Sequence, residues 1–336
     1  YLEPTLIDGS VVSRATLHNQ DEIDKKDVRI GDTVVIQKAG DIIPEVVEVL
    51  QDMRPKNAQP YTLPTICPAC GSTVQRDPGQ AALRCKNPNC SAQVLAGLKH
   101  FVSKKGLNIE GLAVKSLELL LQEKLLSSPA DLYKLQSVDL AGLPSFAEKK
   151  IENLISEIQK SKQVPLPKFL FALNIRHLGE KAALDLSQFL YVLQNIHNPA
   201  ELSELLSKLD QESLLGIEGI GAVIAASVYA WFQEELNQEL LQDFSQYGIS
   251  FLSPPSTNQS SKFSKLSFVF TGSLKQLTRD QAQEKVRLLG GKTPSSLSQK
   301  TDYLVYGEKA GSKIEKDNKL GVKTISEQEF INWLPS

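Results

Sequence analysis

Apolar residues recur along this chain in three different rhythms. From the start to about residue 58 they alternate with polar ones, as in TVVIQKAG and PEVVEVL, with Gly40, Asp41 and Pro44 between. A period of two sends successive side chains to opposite faces, so the stretch is predicted to be antiparallel β and to form a barrel. From about 93 to 252 the spacing becomes three and four, as in SLELLLQEKLL and KKIENLISEIQKSK, which predicts an all-α domain. SPPSTNQSSK, residues 253–262, has no apolar period and is predicted to be a flexible linker. Residues 263–336 return to strands in KLSFVFTG, TDYLVYG and GVKTIS, with helices between them. Thr278 and Gln281 form a capping box for a helix that turns Ala282, Val286 and Leu289 inward, Gly290 and Gly291 stop it, and Ser326 with Glu329 opens a last helix bearing Phe330 and Trp333. A compact α/β module is predicted there.

Residues 59–92 follow none of these rhythms, and they hold every cysteine of the chain. Cys67, Cys70, Cys85 and Cys90 stand as C-x2-C, fourteen residues, then C-x4-C. Two such pairs can turn four sulfurs into a tetrahedron around Zn2+. The competing reading is a pair of disulfides in a small secreted module. Against it stand the length of the chain, the lack of any other cysteine and the absence of an apolar run long enough to span a membrane. Four thiolates leave no coordination position for substrate, so the metal is expected to fold a lobe and to do no chemistry.

At 336 residues, with 41% hydrophobic and 23% charged residues, the chain is ordinary for a soluble protein, and two to four domains are expected. It opens YLEPTLIDGS and its one methionine is Met53, so it is expected to be part of a longer polypeptide. The net charge of -2 conceals opposed regions. From Lys262 onward thirteen Lys and Arg face eight Asp and Glu, whereas residues 193–261 hold one Lys against nine acids.

Four places in the helical stretch repeat one design: EGLAVKSLELL, LPSFAEKKIENL, IRHLGEKAALDL and IEGIGAVIAASV, centred on Leu112, Phe146, Leu178 and Ile220. Each sets an apolar residue between positions that favour small ones and then runs into a helix, as in a helix-hairpin-helix. Small residues let the backbone approach a phosphate, and the N–H groups at the start of the second helix face the anion, so the grip reads no bases. Four ordinary turns with glycine caps would look similar one at a time. In the second copy Ser145 and Ala147 replace glycines, so that copy is expected to be structural. In the third, Arg176, His177 and Lys181 add charge around Gly179. The first offers Gly111, and the fourth, with Gly219 and Gly221, lies in acidic surroundings.

The order of these parts resembles the C-terminal two-thirds of bacterial NAD-dependent DNA ligases. The motifs that carry the resemblance are VSRATLHN (12–19), DVRIGDTVVIQKAGDIIPEVV (27–47), the cysteine spacing, ALNIRHLGEKAA (172–183) and the end of the chain. The resemblance implies a multidomain α+β chain: residues 1–58 a partial OB-fold barrel lacking its first strands, 59–92 a four-cysteine zinc finger, 93–252 a helix-hairpin-helix domain of four repeats, 253–262 a linker, and 263–336 an α/β BRCT domain. It places KAGDIIP in the minor groove beside a nick, with Lys38 on phosphate, Gly40 permitting close approach, and Ile42 and Ile43 on sugars and base edges. Arg14, His18 and Asn19 would support or extend that face; a plain hairpin turn with core isoleucines is the competing reading. Thr271 and Gly272, with Lys313 or Lys316, loosely match a BRCT phosphate pocket, against which stands a solvated basic face.

In such ligases a lysine of a K-x-D-G motif takes AMP from NAD+, the AMP passes to the 5′-phosphate of the nick, and the 3′-hydroxyl displaces it with Mg2+. Here the nearest match, LIDG, has Leu6 in place of the lysine, so no catalytic residue is expected and the chain alone should be inert. The implied partner is nicked double-stranded DNA and the implied state a monomer in the bacterial cytoplasm at the nucleoid, with no membrane contact. A non-catalytic repair scaffold is the alternative, and a K-x-D-G upstream of Tyr1 would decide between them.

Overall fold

In a computed structural model, the described residues are 1–7, 9–39, 43–77, 79–253, 263, 266–294, 296–298, 301–307 and 322–334, less the side chains of 38, 39, 280, 284, 287 and 288. Gly40, Ile42, Lys313, Lys316, the Lys38 side chain and all of the predicted linker after Ser253 therefore lie outside the described residues. The chain divides into two units, Tyr1–Phe101 with Leu112–Leu132, and Val102–Gly111 with Tyr133–Ser336.

The first unit begins with two antiparallel ladders. Strand β1 (Thr5–Ile7) pairs with β2 (Ser10–Val12), and β3 (Val34–Ala39) with β4 (Ile43–Val49), which sets Ala39 opposite Ile43. An OB barrel takes five strands; among the described residues this segment supplies two separate pairs, and no closed barrel forms. Between the ladders lies α1 (Gln20–Lys26). It starts where the Asn19 side chain accepts from the Glu22 N–H and stops where Asp27 turns left-handed at φ 48°. Val12, Ile23, Val46 and Val49 are buried; Ile23 lies on α1, and Val46 and Val49 stand three apart on β4, so the burial departs from strict alternation. The cysteine stretch adds β5 (Val74–Arg76) and β6 (Leu83–Cys85), antiparallel, before helices α2 (Ser91–Val102) and α3 (Val114–Gln122).

The helical part of the second unit contains α4 (Ser137–Leu140), α5 (Glu148–Lys160), a strand β7 (Gln163–Pro165), α6 (Leu166–Ala172), α7 (Glu180–Leu193), α8 (Pro199–Lys208), α9 (Gln211–Leu215), α10 (Ala222–Gln233), α11 (Glu235–Gln246) and a strand β8 (Ser250–Leu252). Helix α5 shows why the period mattered: Ile151, Leu154 and Ile158, spaced three and four apart, are its buried face. The expectation of an all-α region misses one feature, because β7 pairs in parallel with β8 and joins the two ends of a ninety-residue stretch. Three residues apiece carry too little period to be seen in sequence. Phe169, under this pair, meets Phe251 at 5.1 Å and Phe244 at 5.4 Å between ring centroids.

The last part holds β9 (Phe268–Thr271), α12 (Arg279–Leu288), β10 (Tyr303–Tyr306), β11 (Lys323–Ser326) and α13 (Glu327–Trp333). Its sheet is parallel throughout, in the order β11-β10-β9. Both predicted capping boxes form, Thr278 with Gln281 and Ser326 with Glu329. Ala282, Val286 and Phe330 point into a core shared with Phe263, Phe268 and Val305.

Candidate metal centre and nucleic-acid interface

Two tight turns build the cysteine cluster. Gly71, left-handed at φ 72°, lets its N–H reach the Cys67 carbonyl at 2.9 Å while the Cys67 N–H donates to the Ser72 carbonyl at 2.8 Å. On the other side the Cys90 N–H donates to the Asn87 carbonyl at 3.1 Å. The Asn87 side-chain amide donates to the Ser72 hydroxyl at 3.2 Å, which ties the two turns together. All four sulfurs come within 4.8 Å of one another, with Cys67 and Cys90 3.8 Å apart and Cys70 and Cys85 3.5 Å apart. A zinc tetrathiolate with bonds of about 2.3 Å has sulfur–sulfur edges of about 3.8 Å, whereas a disulfide needs about 2.05 Å. The donor set fits the metal, and no disulfide joins these cysteines.

Electrostatics agree with the geometry. Hydrogen bonds from Ser72, side chain and backbone, draw the Cys70 thiol down to about 6. At Cys85 the Asn87 N–H pulls the same way, but desolvation and the neighbouring sulfurs outweigh it and push that thiol up to about 12. Such crowded sulfurs cannot all carry negative charge without a cation among them.

The four hairpins share a backbone design more exact than their residues. A left-handed residue comes first: Gly111 (φ 90°), Ser145 (67°), His177 (65°) and Gly219 (88°). A buried apolar residue follows, Leu112, Phe146, Leu178 and Ile220, and then a helix begins at Ala113, Ala147, Gly179 and Gly221. No side chain caps any of these four helices. By contrast Asn19, Asn198, Asp210 and Ser326 cap α1, α8, α9 and α13. The hairpin helices thus present open N–H groups with the positive end of the helix dipole behind them.

Within this design the expected residues take unequal places. Gly111, Gly179, Gly219 and Gly221 are exposed, as the reading of an open backbone needs, but Gly179 is extended at φ −80° and the left-handed place in its hairpin belongs to His177. Ser145 keeps the turn that glycine makes elsewhere, and the Lys150 ammonium closes on it, donating to the Ser145 carbonyl at 2.9 Å and lying 4.3 Å from the Phe146 ring centre. Arg176 is half-buried and Lys181 exposed. Lys181 pairs with Asp185 at 2.6 Å, and Lys105 reaches from beside the first hairpin to Glu180 at 2.7 Å.

On the first unit, Ile43 is 56% exposed at the base of the hairpin turn, so it is no core residue. Arg14 is exposed and lies over the Tyr1 ring, 5.4 Å from its centre. The Asn19 side chain takes a supporting place, capping α1. Sequence reasoning missed Glu45, whose carboxylate accepts from Gln37 at 2.8 Å and meets His18 Nε2 at 3.0 Å. Glu45 faces Gln37 across the ladder and bridges to Thr16, so it joins the 12–19 segment to the β3–β4 hairpin. Pairing between segments so far apart leaves no local signal. In the last module Thr271 is buried, and its carbonyl accepts from Gly307.

Fold and sites define a class of protein: a chain of small modules, one organised by a four-thiolate cluster, one by repeated helical hairpins and one by a parallel α/β sheet. Residues 1–58 match the NAD-dependent DNA ligase OB-fold domain, 67–92 the NAD-dependent DNA ligase C4 zinc finger domain, 168–241 a helix-hairpin-helix motif and 258–333 the BRCA1 C-terminus (BRCT) domain. The chain is similar to the DNA ligase of Syntrophus aciditrophicus, 43% identical over 98% of this chain and 48% of the relative. It is also similar to DNA ligases of Coxiella burnetii strain CbuK_Q154 (41% over 100% of this chain and 48% of the relative) and Bacillus subtilis (41% over 99% and 49%). Two of its domains match models of NAD-dependent DNA ligases, and along its whole length the chain is similar to part of proteins named DNA ligase. It spans about half the length of the curated relatives it matches, less than the two-thirds expected from the order of its parts.

Proposed function

We propose that this chain is the DNA-gripping portion of an NAD-dependent DNA ligase and holds nicked duplex DNA while the break is sealed. The observation that carries the reading is the fourfold repeat of an uncapped, outward-facing helix start in a chain similar throughout to ligases. Gly111, Gly179, Gly219 and Gly221 bring backbone N–H groups to phosphate oxygens, and Arg176, His177 and Lys181 add charge. In the first unit Arg14, Lys38, Gly40, Ile42 and Ile43 meet the minor groove, with Glu45 holding that surface together. Zinc on Cys67, Cys70, Cys85 and Cys90 is structural and supplies no reactive position.

Sealing itself runs through ligase-adenylate and DNA-adenylate intermediates, with NAD+ and Mg2+ bound mainly outside this chain. Leu6 stands where an adenylated lysine would be needed. On this reading the chain binds and orients DNA, as a monomer, in the bacterial cytoplasm at the nucleoid. Whole-length similarity to ligases favours this over a non-catalytic repair scaffold. No helix among the described residues is long and apolar enough to cross a membrane.

The test pairs two measurements. Anisotropy with a nicked duplex should give affinity that falls steeply with salt and depends little on sequence. Incubation with adenylate-labelled NAD+ and Mg2+ should leave the chain unlabelled. Salt-insensitive binding would sink the grip, and a labelled protein band lost on changing one lysine would show an adenylation site within this chain.

A further inference from the structure

We propose that Lys181, although it lies on the second helix of the third hairpin, is the cation of the fourth, and that Asp185 is the positioning residue that holds it there. This rests on reading the hairpins as phosphate-backbone sites.

The fourth hairpin has good geometry and the wrong charge. Glu218 is exposed beside Gly219, and residues 193–261 hold one lysine, Lys208, against nine acids. An anion approaching the start of α10 would meet that field with the helix dipole alone to offset it. The structure brings a cation in from another element. A β-carbon placed on Gly219 would lie 3.2 Å from Lys181 Nζ and closer still to Asp185 Oδ2. The Lys181–Asp185 pair of α7 thus stands against the fourth hairpin.

The two partners are unequally exposed. The Asp185 side chain is 18% exposed and that of Lys181 82%, so the carboxylate is the fixed anchor and the ammonium the outward end. One of the three ammonium donors is used by Asp185 at 2.6 Å, which leaves others for a phosphate oxygen. Gly219 is therefore required twice: its φ of 88° favours glycine, and a side chain there would displace Asp185.

The arrangement inverts a simple expectation. Removing an acid near DNA ordinarily tightens binding. Here D185A should weaken it about threefold at low salt, because Lys181 loses its anchor. K181A should weaken it about fivefold and lower the salt slope by about 0.9. With K181A already present, D185A should add almost nothing. To place the lysine at the fourth hairpin, A222P removes one N–H at the first position of α10, where proline suits the helix. Its loss should be non-additive with K181A.

Anisotropy of the 336-residue chain on a nicked duplex at several salt concentrations reads all of these. D185N keeps the shape of the side chain should D185A unfold, and it should also weaken binding. Tighter or unchanged binding by the Asp185 variants, or additivity of A222P with K181A, overturns the inference while leaving the hairpin reading intact. A parent chain with no salt-dependent binding overturns both.

Discussion

Arg54 Nε donates to the carboxylate of Asp32 across 2.9 Å, and the Asp32 side chain is 1% exposed. The guanidinium also reaches Asp27 at the end of α1, which Arg29 holds from the other side at 3.1 Å. The network fastens the exit of the β3–β4 ladder to its entrance. Removing one partner leaves a buried charge uncompensated, so R54A should lower the unfolding temperature of the first unit by about 5 °C or more. Burial alone would raise the Asp32 carboxyl, but hydrogen bonds from Arg54 and from the Arg29 N–H outweigh it and hold the carboxyl below its usual range. A depressed folded pKa gives stability that is present above about pH 4 and is lost as pH falls through the folded value. Thermal scans from pH 7 to pH 3 should show R54A losing less than the parent chain at the acid end.

The glycines of the fourth hairpin should respond unequally to alanine. G219A forces a side chain into a left-handed residue and against Asp185, and should cost about 2 kcal/mol or more. Gly221 is extended with open space around its Cα, so G221A should cost under about 0.5 kcal/mol. Conversely S145G and H177G relieve left-handed backbone and should stabilise by about 0.5–1 kcal/mol each. Urea titrations of the four variants check the order.

Metal analysis should find one zinc per chain. Chelation should expose residues 60–92 to protease within a chain whose second unit stays folded, because the metal bonds that join the two cysteine turns are lost. C67S, which removes a buried ligand, should do the same without chelator. A metal-free chain resistant to protease would refute the zinc lobe.

Glu327 carries the turn before α12. Its buried carboxylate accepts from the backbone N–H groups of Lys275, Gln276 and Leu277 at 2.7, 2.8 and 3.2 Å. E327A strands those three donors, and should lower the melting temperature of the last module by about 5 °C or more. Burial raises the carboxyl, the three N–H groups outweigh it, and the net pKa is lowered, so this support too is lost on acidification. Tryptophan fluorescence, through Trp333 packed against that core, follows the transition.

What the sequence displayed was whatever repeats or sits close along the chain. The period of α5, both capping boxes and the cysteine spacing were legible because each is fixed by residues a few positions apart. Hidden were the contacts made across long separations: Glu45 with His18, Arg54 with Asp32, β7 with β8, and Asp185 against Gly219. The place of His177 was hidden for another reason: it depends on a left-handed backbone angle, which no local pattern of residue types displays.

The bare starts of the four hairpin helices have an evolutionary consequence. On the proposed function, a Ser or Asp at Ala113, Ala147, Gly179 or Gly221 would cap its helix and stabilise it by about 1 kcal/mol while occupying N–H groups that a phosphate would use. Selection for heat resistance alone should therefore drift toward sealed helices and a poorer hold on DNA, so these four positions are where durability and use pull the sequence in opposite directions.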